Sequence, residues 1–431
     1  MKVGDILTLL AAYQQDSDGR IHLIPSENSL SLAAHTPYLT DALYRYSFTP
    51  ENGTNWSWPG TDEFSEIERH VKLRLGELYG ARLVDTRPIS GINCMTVVMA
   101  ALAQHSRTVF SIGVADGGHA LTRVIGTSLG LDVRPLPYDR ERFTIDVSEL
   151  ARTVRGVERP VLYLDQFMCL FPHDLRAIRA AVGPDVVIHY DGSHVMGLIA
   201  GGQFQDPLSE GADSLAGSTH KSFPGPHKAV ILSNDETLFG SYEAMSNVFV
   251  SHRHTADTVA LAIATEELHE HGTEYAAATV ANARLLGAEL ADRGLNVSAA
   301  ALGYTRSHQL WLDPGPRLSA ERASRALFEA GVVVNAVEIP YLPSVMGLRI
   351  GVQEVTRNGM TGEQMPLLAE LIASVLTGTG TSVRRSALLD QLRAAIEPRT
   401  AERRTAAAAL LGAARRADLA QPSGKGGPSH A

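Results

Sequence analysis

The sequence predicts an α/β fold with a mostly parallel central sheet and helices on both of its faces. Between about residues 81 and 235, short apolar segments rich in β-branched side chains alternate with segments of helical length. Strands that are connected through helices usually run parallel, and the crossover between them is right-handed. The predicted strands cover residues 108–113, 133–138, 160–165, 186–190 and 229–233.

The segments outside this region predict a helical arm and a smaller C-terminal domain. Residues 1–14 read as an amphipathic helix, and residues 255–293 are rich in Ala, Leu and Glu, as long helices are. Short strands at 309–312 and 348–351 indicate a mixed α+β unit. We expect an N-terminal arm, a large ligand-binding domain, a small domain, and a helical extension with a disordered tail, over residues 1–35, 36–270, 271–380 and 381–431.

The composition favours a cytoplasmic enzyme that acts on small metabolites. The chain of 431 residues is 44% hydrophobic and 20% charged, and its net charge of −9 offers no basic footprint for nucleic acid or an anionic membrane. No segment reaches the roughly 18 consecutive apolar residues of a membrane span, and the N-terminus lacks the pattern of a signal peptide. Cys94 and Cys169 have no paired spacing, so we expect neither a disulfide framework nor a metal site.

Two polar segments that each follow an apolar stretch carry the chemistry. Asp191 comes directly after a predicted buried strand, and Lys221 is followed by a turn-forming Pro-Gly-Pro sequence. In a parallel sheet both side chains would lie beyond the carboxyl ends of the strands, where ligands bind. A lysine that forms an imine and a carboxylate that protonates a pyridine nitrogen are what a pyridoxal 5'-phosphate (PLP) site needs. Taken singly, Lys221 reads as a solvated lysine and Asp191 as a helix cap.

Further residues complete the predicted site. Ser90 and Gly91 precede an apolar helix whose first amides could hold a phosphate, although Ser90 alone also fits a simple cap. Gly117-Gly118-His119 allows close backbone approach and places an imidazole near a flat ring. Arg349 lies inside an apolar segment, where a substrate carboxylate or a structural salt bridge would compensate its buried charge.

These residues, in this order, resemble the serine hydroxymethyltransferases and their relatives, PLP-dependent enzymes of fold type I that perform aldol chemistry on the α-carbon of glycine. The resemblance runs from about residue 23 to residue 360. It implies an aspartate-aminotransferase-like fold with a small C-terminal α+β domain, and a homodimer or a tetramer with the site at the subunit interface. The motifs that carry it are Pro25-Ser26-Glu27-Asn28, Leu78-Tyr79-Gly80-Ala81, Gly117-Gly118-His119, Asp191 with His194, Thr219-His220-Lys221, and Arg349 with Thr356-Arg357-Asn358-Gly359-Met360.

The resemblance also implies a role for each site residue. Lys221 would bind PLP covalently, Asp191 would pair with the ring nitrogen, His119 would stack on the ring, and Arg349 would anchor the substrate carboxylate. Glu51 lies near the place of the family's glutamate that handles the proton of the substrate hydroxyl. The remaining expected cofactor contacts are Ser90, Gly91, Ile92, His194, Ser218 and Thr219, and the remaining substrate contacts are Ser26 and Tyr46.

Departures from the family pattern favour its L-threonine transaldolase branch. The stretch Tyr44–Glu51 and the segment after His119, which reads Ala-Leu-Thr-Arg, differ from those of folate-using members, and the Gly-Gly that a partner subunit normally contributes is missing around residues 248–254. Tetrahydrofolate binding is therefore doubtful. Features typical of the transaldolase branch are Asp165-Gln166, Pro224-Gly225-Pro226, the segment Gly303 to Gln309, and Glu338-Ile339-Pro340.

The first hypothesis is therefore a transaldolase of specialised metabolism that transfers the glycine unit of L-threonine to an acceptor aldehyde. The alternatives are a serine or α-substituted serine hydroxymethyltransferase that uses tetrahydrofolate, and a threonine aldolase. A hypothesis of another class is a binding or regulatory relative that keeps the fold without the cofactor. The intact trio Lys221, Asp191 and Arg349 argues against this last hypothesis.

Overall fold

The computed structural model of the chain describes residues 1–48, 56–342 and 346–420. Its centre is a seven-stranded sheet in the order β1-β7-β6-β5-β4-β2-β3. Strand β7 runs antiparallel to β6 and β1, whereas the other neighbouring strands are parallel. The strands are β1 (Leu83–Asp85), β2 (Thr108–Ser111), β3 (Asp132–Pro135), β4 (Val161–Asp165), β5 (Val187–Asp191), β6 (Ser214–Ser218) and β7 (Ala229–Ser233).

This sheet confirms the predicted α/β class. All five predicted strands are present, although the segment 133–138 divides: β3 ends at Pro135, and Tyr138–Asp139 pairs instead with Thr144–Ile145. Strands β1 and β6 are not among the strands predicted from the sequence. Strand β6 reads Ser-Leu-Ala-Gly-Ser, a sequence of low strand propensity, and complete burial between β5 and β7 compensates for it.

Helices cover both faces of the sheet. Alternate side chains of β4 face opposite layers: Leu162 and Leu164 join one buried cluster, and Val161 and Tyr163 join the other. The helices around the sheet are Asp62–Tyr79, Gly91–His105, Ala120–Ser128, Val147–Val154, Leu175–Val182, Met196–Ala200, Pro207–Glu210, Glu236–Phe249 and the N-terminal part of Thr255–Asp292. The sheet is therefore buried on both sides, and ligands can reach it only at its edges.

A second core lies around a four-stranded antiparallel sheet of order β8-β9-β11-β10. The 38-residue helix Thr255–Asp292 connects the two cores, because Leu261 and Leu268 pack in the first and Leu286 and Leu290 in the second. The domain boundary predicted at residues 270/271 falls inside this helix and stays a prediction. The elements of this part are β8 (Asn296–Val297), β9 (Gln309–Asp313), β10 (Asn335–Glu338), β11 (Met346–Gly351) and the helices Ala320–Glu329, Gln353–Arg357 and Met365–Thr377.

The two ends of the described chain are helical. Helix Val3–Asp18 buries none of its side chains, and it contacts the C-terminal helix Ser382–Ala420. A short parallel pairing of Ile21–His22 with Val332–Val333 ties the N-terminal segment to the second core. The predicted tail beyond Ala420 lies outside the described residues. Within the described ranges, no helix is long and apolar enough to cross a membrane.

Candidate active site

A cavity of about 220 Å³ lies at the carboxyl edge of the central sheet. Strands β4 and β5 end there at Asp165 and Asp191, and the loop after β6 brings Lys221 to the same place. The parallel register sets β4 and β5 side by side, so that Asp165 is the neighbour of Asp191. The structure brings eight predicted site residues into this cavity: Ser90, Gly91, Ile92, His119, Asp191, His194, Ser218 and Lys221.

Lys221 has the environment of a nucleophilic amine. Its Nζ lies 3.2 Å from Nε2 of His194. Burial lowers the pKa of Lys221 to about 8, opposed by the charge of Asp191 and assisted by that of Arg349. Near neutral pH a useful fraction of this amine is therefore uncharged and able to attack an aldehyde.

Asp191 is held in a fixed orientation. Its Oδ1 accepts a hydrogen bond from the backbone N–H of Ser193 at 3.0 Å, and its Oδ2 accepts one from the Tyr163 hydroxyl at 3.1 Å. Burial raises the pKa of Tyr163 well above its ordinary value, so this phenol stays a donor. A carboxylate oriented in this way suits pairing with a protonated ring nitrogen.

The start of helix Gly91–His105 forms the other end of the cavity. Ser90 caps the helix through its hydroxyl, which accepts the N–H of Asn93 at 3.1 Å, and this leaves the first amides of the helix for an anion. A Cβ on Gly91 would lie 2.3 Å from Oγ of Ser218. The Ser193 hydroxyl accepts the backbone N–H of Ser218 at 3.1 Å. Helix amides, hydroxyls and the close approach of the backbone at Gly91 to Ser218 fit the phosphate of PLP.

Gly91→Ala tests this assignment. We expect it to weaken PLP binding by about 1–3 kcal/mol, the usual cost of overpacking, which is a factor of roughly 5 to 150 in Kd. Fluorescence titration of the cofactor-free protein measures the change. Gly240→Ala is the matched control, since its added methyl group meets no atom within 4 Å. Equal affinities of the two variants would contradict a phosphate site at Gly91.

His119 lies at the rim of the cavity beside Phe167. The turn that brings His119 to the cavity contains Gly117, whose φ of 94° favours glycine. The backbone N–H of His119 donates to Oδ2 of Asp165 at 3.2 Å. Burial lowers the pKa of the imidazole, and Lys221 and Arg349 lower it further against the opposing charge of Asp191. His119 is therefore neutral at pH 7, in the form that can stack on a ring or accept a proton.

Arg349 is a buried cation without an anionic partner among the residues that the structure describes. It lies on β11 with 2% exposure, and its guanidinium carbon is 4.4 Å from the centroid of the Phe167 ring. Burial lowers its pKa to about 10. The alternative for this residue was a structural salt bridge, but no carboxylate in the described part of the chain pairs with Arg349. A substrate carboxylate would complete the pair.

Four predicted site residues that the structure describes lie outside the cavity lining: Thr219, Ser26, Tyr46 and Arg349. Thr219 is fully buried, and its hydroxyl donates to the Pro226 carbonyl at 2.8 Å. Ser26 lies in a turn outside the cavity lining, and Tyr46 is 51% exposed, with its ring 4.7 Å from that of His252. Glu51 lies outside the described residues.

Several residues that support the site were given no site role from the sequence. Tyr163 and Ser193 orient Asp191, and Asp165 lines the cavity with a carboxyl group whose pKa burial raises well above its usual range. Asn28 donates through Nδ2 to the Lys221 carbonyl at 2.7 Å. The sequence signal that could have identified Tyr163 and Asp165 is their position at the carboxyl end of the predicted strand 160–165, beside the strand that ends at Asp191. Within the described ranges, no group of three or more metal-binding side chains was found.

Several known proteins are similar to this chain in sequence or in structure. The family model described as serine hydroxymethyltransferase matches residues 3–372. A fluorothreonine transaldolase of Streptantibioticus cattleyicolor is 38% identical over 379 residues, 85% of this chain, which spans only 59% of that relative's length. An L-threonine:uridine-5'-aldehyde transaldolase of a Streptomyces species is 37% identical over 83% of this chain and 88% of its own length.

Hydroxymethyltransferases are about equally similar. One from Pyrobaculum arsenaticum is 36% identical over 83% of this chain and 85% of its own length. Among solved structures, an L-threonine transaldolase from Pseudomonas fluorescens superposes with a TM-score of 0.80 at 27% identity, covering 92% of this chain and 91% of that one.

Proposed function

Because the chain belongs to the serine hydroxymethyltransferase family of PLP-dependent transferases, we propose that it is an L-threonine transaldolase that moves a glycine unit to an acceptor aldehyde. The observation that carries the proposal is the shared cavity of Lys221 and Asp191 beside the guanidinium of Arg349, which has no carboxylate partner among the described residues. The two transaldolase relatives support transfer to an aldehyde, and the equally similar hydroxymethyltransferases make transfer to folate the second candidate.

Different residues of the cavity would hold different parts of the cofactor. Lys221 would hold it covalently, Asp191 would pair with its ring nitrogen, and Ser90, Gly91 and Ser218 would hold its phosphate. When bound, PLP supplies an aldehyde that takes up the amino group of threonine and a ring that accepts the electron pair of the broken bond. The chain's own task is to bind the substrate, orient the bond that breaks and handle protons.

The reaction breaks the Cα–Cβ bond of L-threonine and forms a Cα–Cβ bond with the second aldehyde. The β-hydroxyl of threonine loses its proton as acetaldehyde leaves, and the new alkoxide takes up a proton after the acceptor is attacked. The neutral imidazole of His119 can hold that proton, and Glu51 is the alternative base. Water must stay out between the two steps, because protonation of the glycine carbon would turn transfer into simple cleavage.

Arg349→Gln tests the carboxylate anchor. We expect the KM for L-threonine to rise about 30-fold or more, since losing one partner of a buried charged pair costs roughly 2 kcal/mol or more. The affinity for PLP should change little. Arg384→Gln is the control, because this guanidinium is half exposed and pairs with Glu370 at 2.6 Å on the surface. An unchanged KM in Arg349→Gln would contradict the anchor.

An exposed aromatic patch supports the homodimer that we propose. Tyr44, Tyr46, Phe48 and Trp58 are 38–73% exposed, a large apolar group for a free surface. A second copy of the chain could cover this patch, and a tetramer would add a further interface. We also assign the enzyme to the cytoplasm.

Incubation of the purified protein with L-threonine and a panel of aldehydes, with and without tetrahydrofolate, tests the proposed function. A transaldolase gives new β-hydroxy-α-amino acids and acetaldehyde without folate, as mass analysis would show. Product formation that depends on folate would identify a hydroxymethyltransferase, which the similarity to the Pyrobaculum enzyme favours. Free glycine with no incorporated aldehyde would identify a threonine aldolase.

A further inference from the structure

A chain of side chains leads from the sheet of the second core to the reactive lysine. Gln309, the first residue of β9, places its Nε2 3.2 Å from the Phe167 carbonyl oxygen and 3.4 Å from Nδ1 of His194. The other ring nitrogen of His194, Nε2, is 3.2 Å from Nζ of Lys221. Gln309 is fully buried and His194 is 5% exposed.

The chemistry of these groups determines where the protons lie. A carbonyl oxygen only accepts hydrogen bonds, so the Phe167 carbonyl fixes which end of the Gln309 amide faces it. The same amide nitrogen faces His194, and an amide nitrogen only donates. Nδ1 of His194 must therefore be the acceptor, and a neutral imidazole then carries its proton on Nε2.

We propose that Gln309 is a positioning residue that holds His194 as its Nε2–H tautomer, so that His194 donates a hydrogen bond to the uncharged amine of Lys221. This inference rests on the proposed function, in which Lys221 is the point of cofactor attachment. Gln309 does not itself line the cavity, and it acts on Lys221 only through the imidazole of the lining residue His194. The hydrogen-bond donor that Lys221 meets is thus set by a residue of another domain.

The surrounding charges agree with a neutral His194. Burial lowers its pKa well below the ordinary value, and Lys221 and Arg349 lower it further. A proton on this ring would add a third positive charge beside those two residues. The titratable and charged groups around Lys221 are Asp191, which favours its charged form, Arg349, which disfavours it, and the imidazoles of His119, His194, His220 and His308.

The first test reads the tautomer directly. In the full-length, cofactor-free protein labelled with ¹⁵N-histidine, two-bond proton–nitrogen correlation spectra distinguish Nε2–H from Nδ1–H, and a His194→Gln sample assigns the signal. We expect Nε2–H in the wild type and a mixture of tautomers in Gln309→Met, which keeps the size of the side chain and removes the donor. Gln353→Met is the matched control, because buried Gln353 also donates to two carbonyls, those of Ile24 and Glu27, away from Lys221.

The second test uses the pH dependence of PLP attachment. The amine nitrogen of Lys221 adds to the cofactor aldehyde and water leaves, so the rate follows the fraction of neutral amine. Removing the donated hydrogen bond should raise the pKa of Lys221. A rise of about one unit slows attachment about tenfold at pH 7 and leaves the rate at pH 10 nearly unchanged. A merely structural role of Gln309 would slow attachment equally at both pH values.

Two results would overturn the inference: an Nε2–H signal in Gln309→Met as pure as in the wild type, or a rate loss that is independent of pH. Wild-type protein that never attaches PLP would instead refute the proposed function. The tautomer of His194 would still be decided by the spectra of the cofactor-free protein.

Discussion

We expect Lys221→Ala to abolish covalent attachment of PLP and to lower threonine cleavage and transfer about a thousandfold or more, as loss of a catalytic nucleophile usually does. The reason is local. Lys221 lines the cavity together with Asp191, whose carboxylate is held in a fixed orientation. The variant should still fold, because a buried amine is replaced by a smaller apolar side chain. Visible absorbance of the PLP-saturated protein and product analysis with threonine measure the two effects.

Lys72→Ala is the control for this experiment. Its amine is partly exposed and lies 3.8 Å from Glu68, on a helix outside the cavity. We expect wild-type absorbance and turnover from it. Retention of the visible band in Lys221→Ala would show that another group binds the cofactor, and the account of the site would be wrong.

We expect Asp191→Asn to lower aldol turnover about a hundredfold or more while the cofactor still attaches, as losing one preorganised electrostatic contact does. An amide cannot keep the ring nitrogen protonated, so the ring becomes a poorer acceptor of electrons. The hydrogen bonds from Tyr163 and Ser193 can persist, because the amide retains one oxygen. Steady-state turnover, measured beside the absorbance of bound PLP, separates this effect from loss of the cofactor.

Asp132→Asn provides the comparison. This carboxylate is half exposed and pairs with Arg134 on β3, away from the cavity. Its substitution should leave turnover at the wild-type value. If Asp191→Asn turned over threonine as fast as Asp132→Asn, the carboxylate would have no role in electron withdrawal.

The sequence was sufficient to predict the edge of the sheet at which the site forms. Asp191 and Lys221 follow buried strands, and parallel topology brings the ends of such strands together. Local patterns were enough here, because a strand, a turn and a helix start each have signals within a few residues. The same reasoning placed Ser90 and Gly91 at a helix N-terminus, where the structure has them.

The supporting contacts could not be predicted, because they join residues that are distant in the chain. Gln309 and His194 are 115 positions apart, and Asn28 and Lys221 are 193 apart. No local pattern encodes such a pair. Thr219 shows the converse case: it lies beside the lysine in sequence, but the turn that follows takes its hydroxyl toward Pro226.

Trapping the bound cofactor on its lysine shows directly whether Lys221 is the point of attachment. Borohydride reduction of the PLP-saturated protein, followed by proteolysis and mass spectrometry, reports which lysine carries the pyridoxyl group. Lys228 is the informative competitor, since it is also buried and lies in the same loop region. We expect the group on Lys221 alone. A label on Lys228, or no label on any lysine, would contradict it.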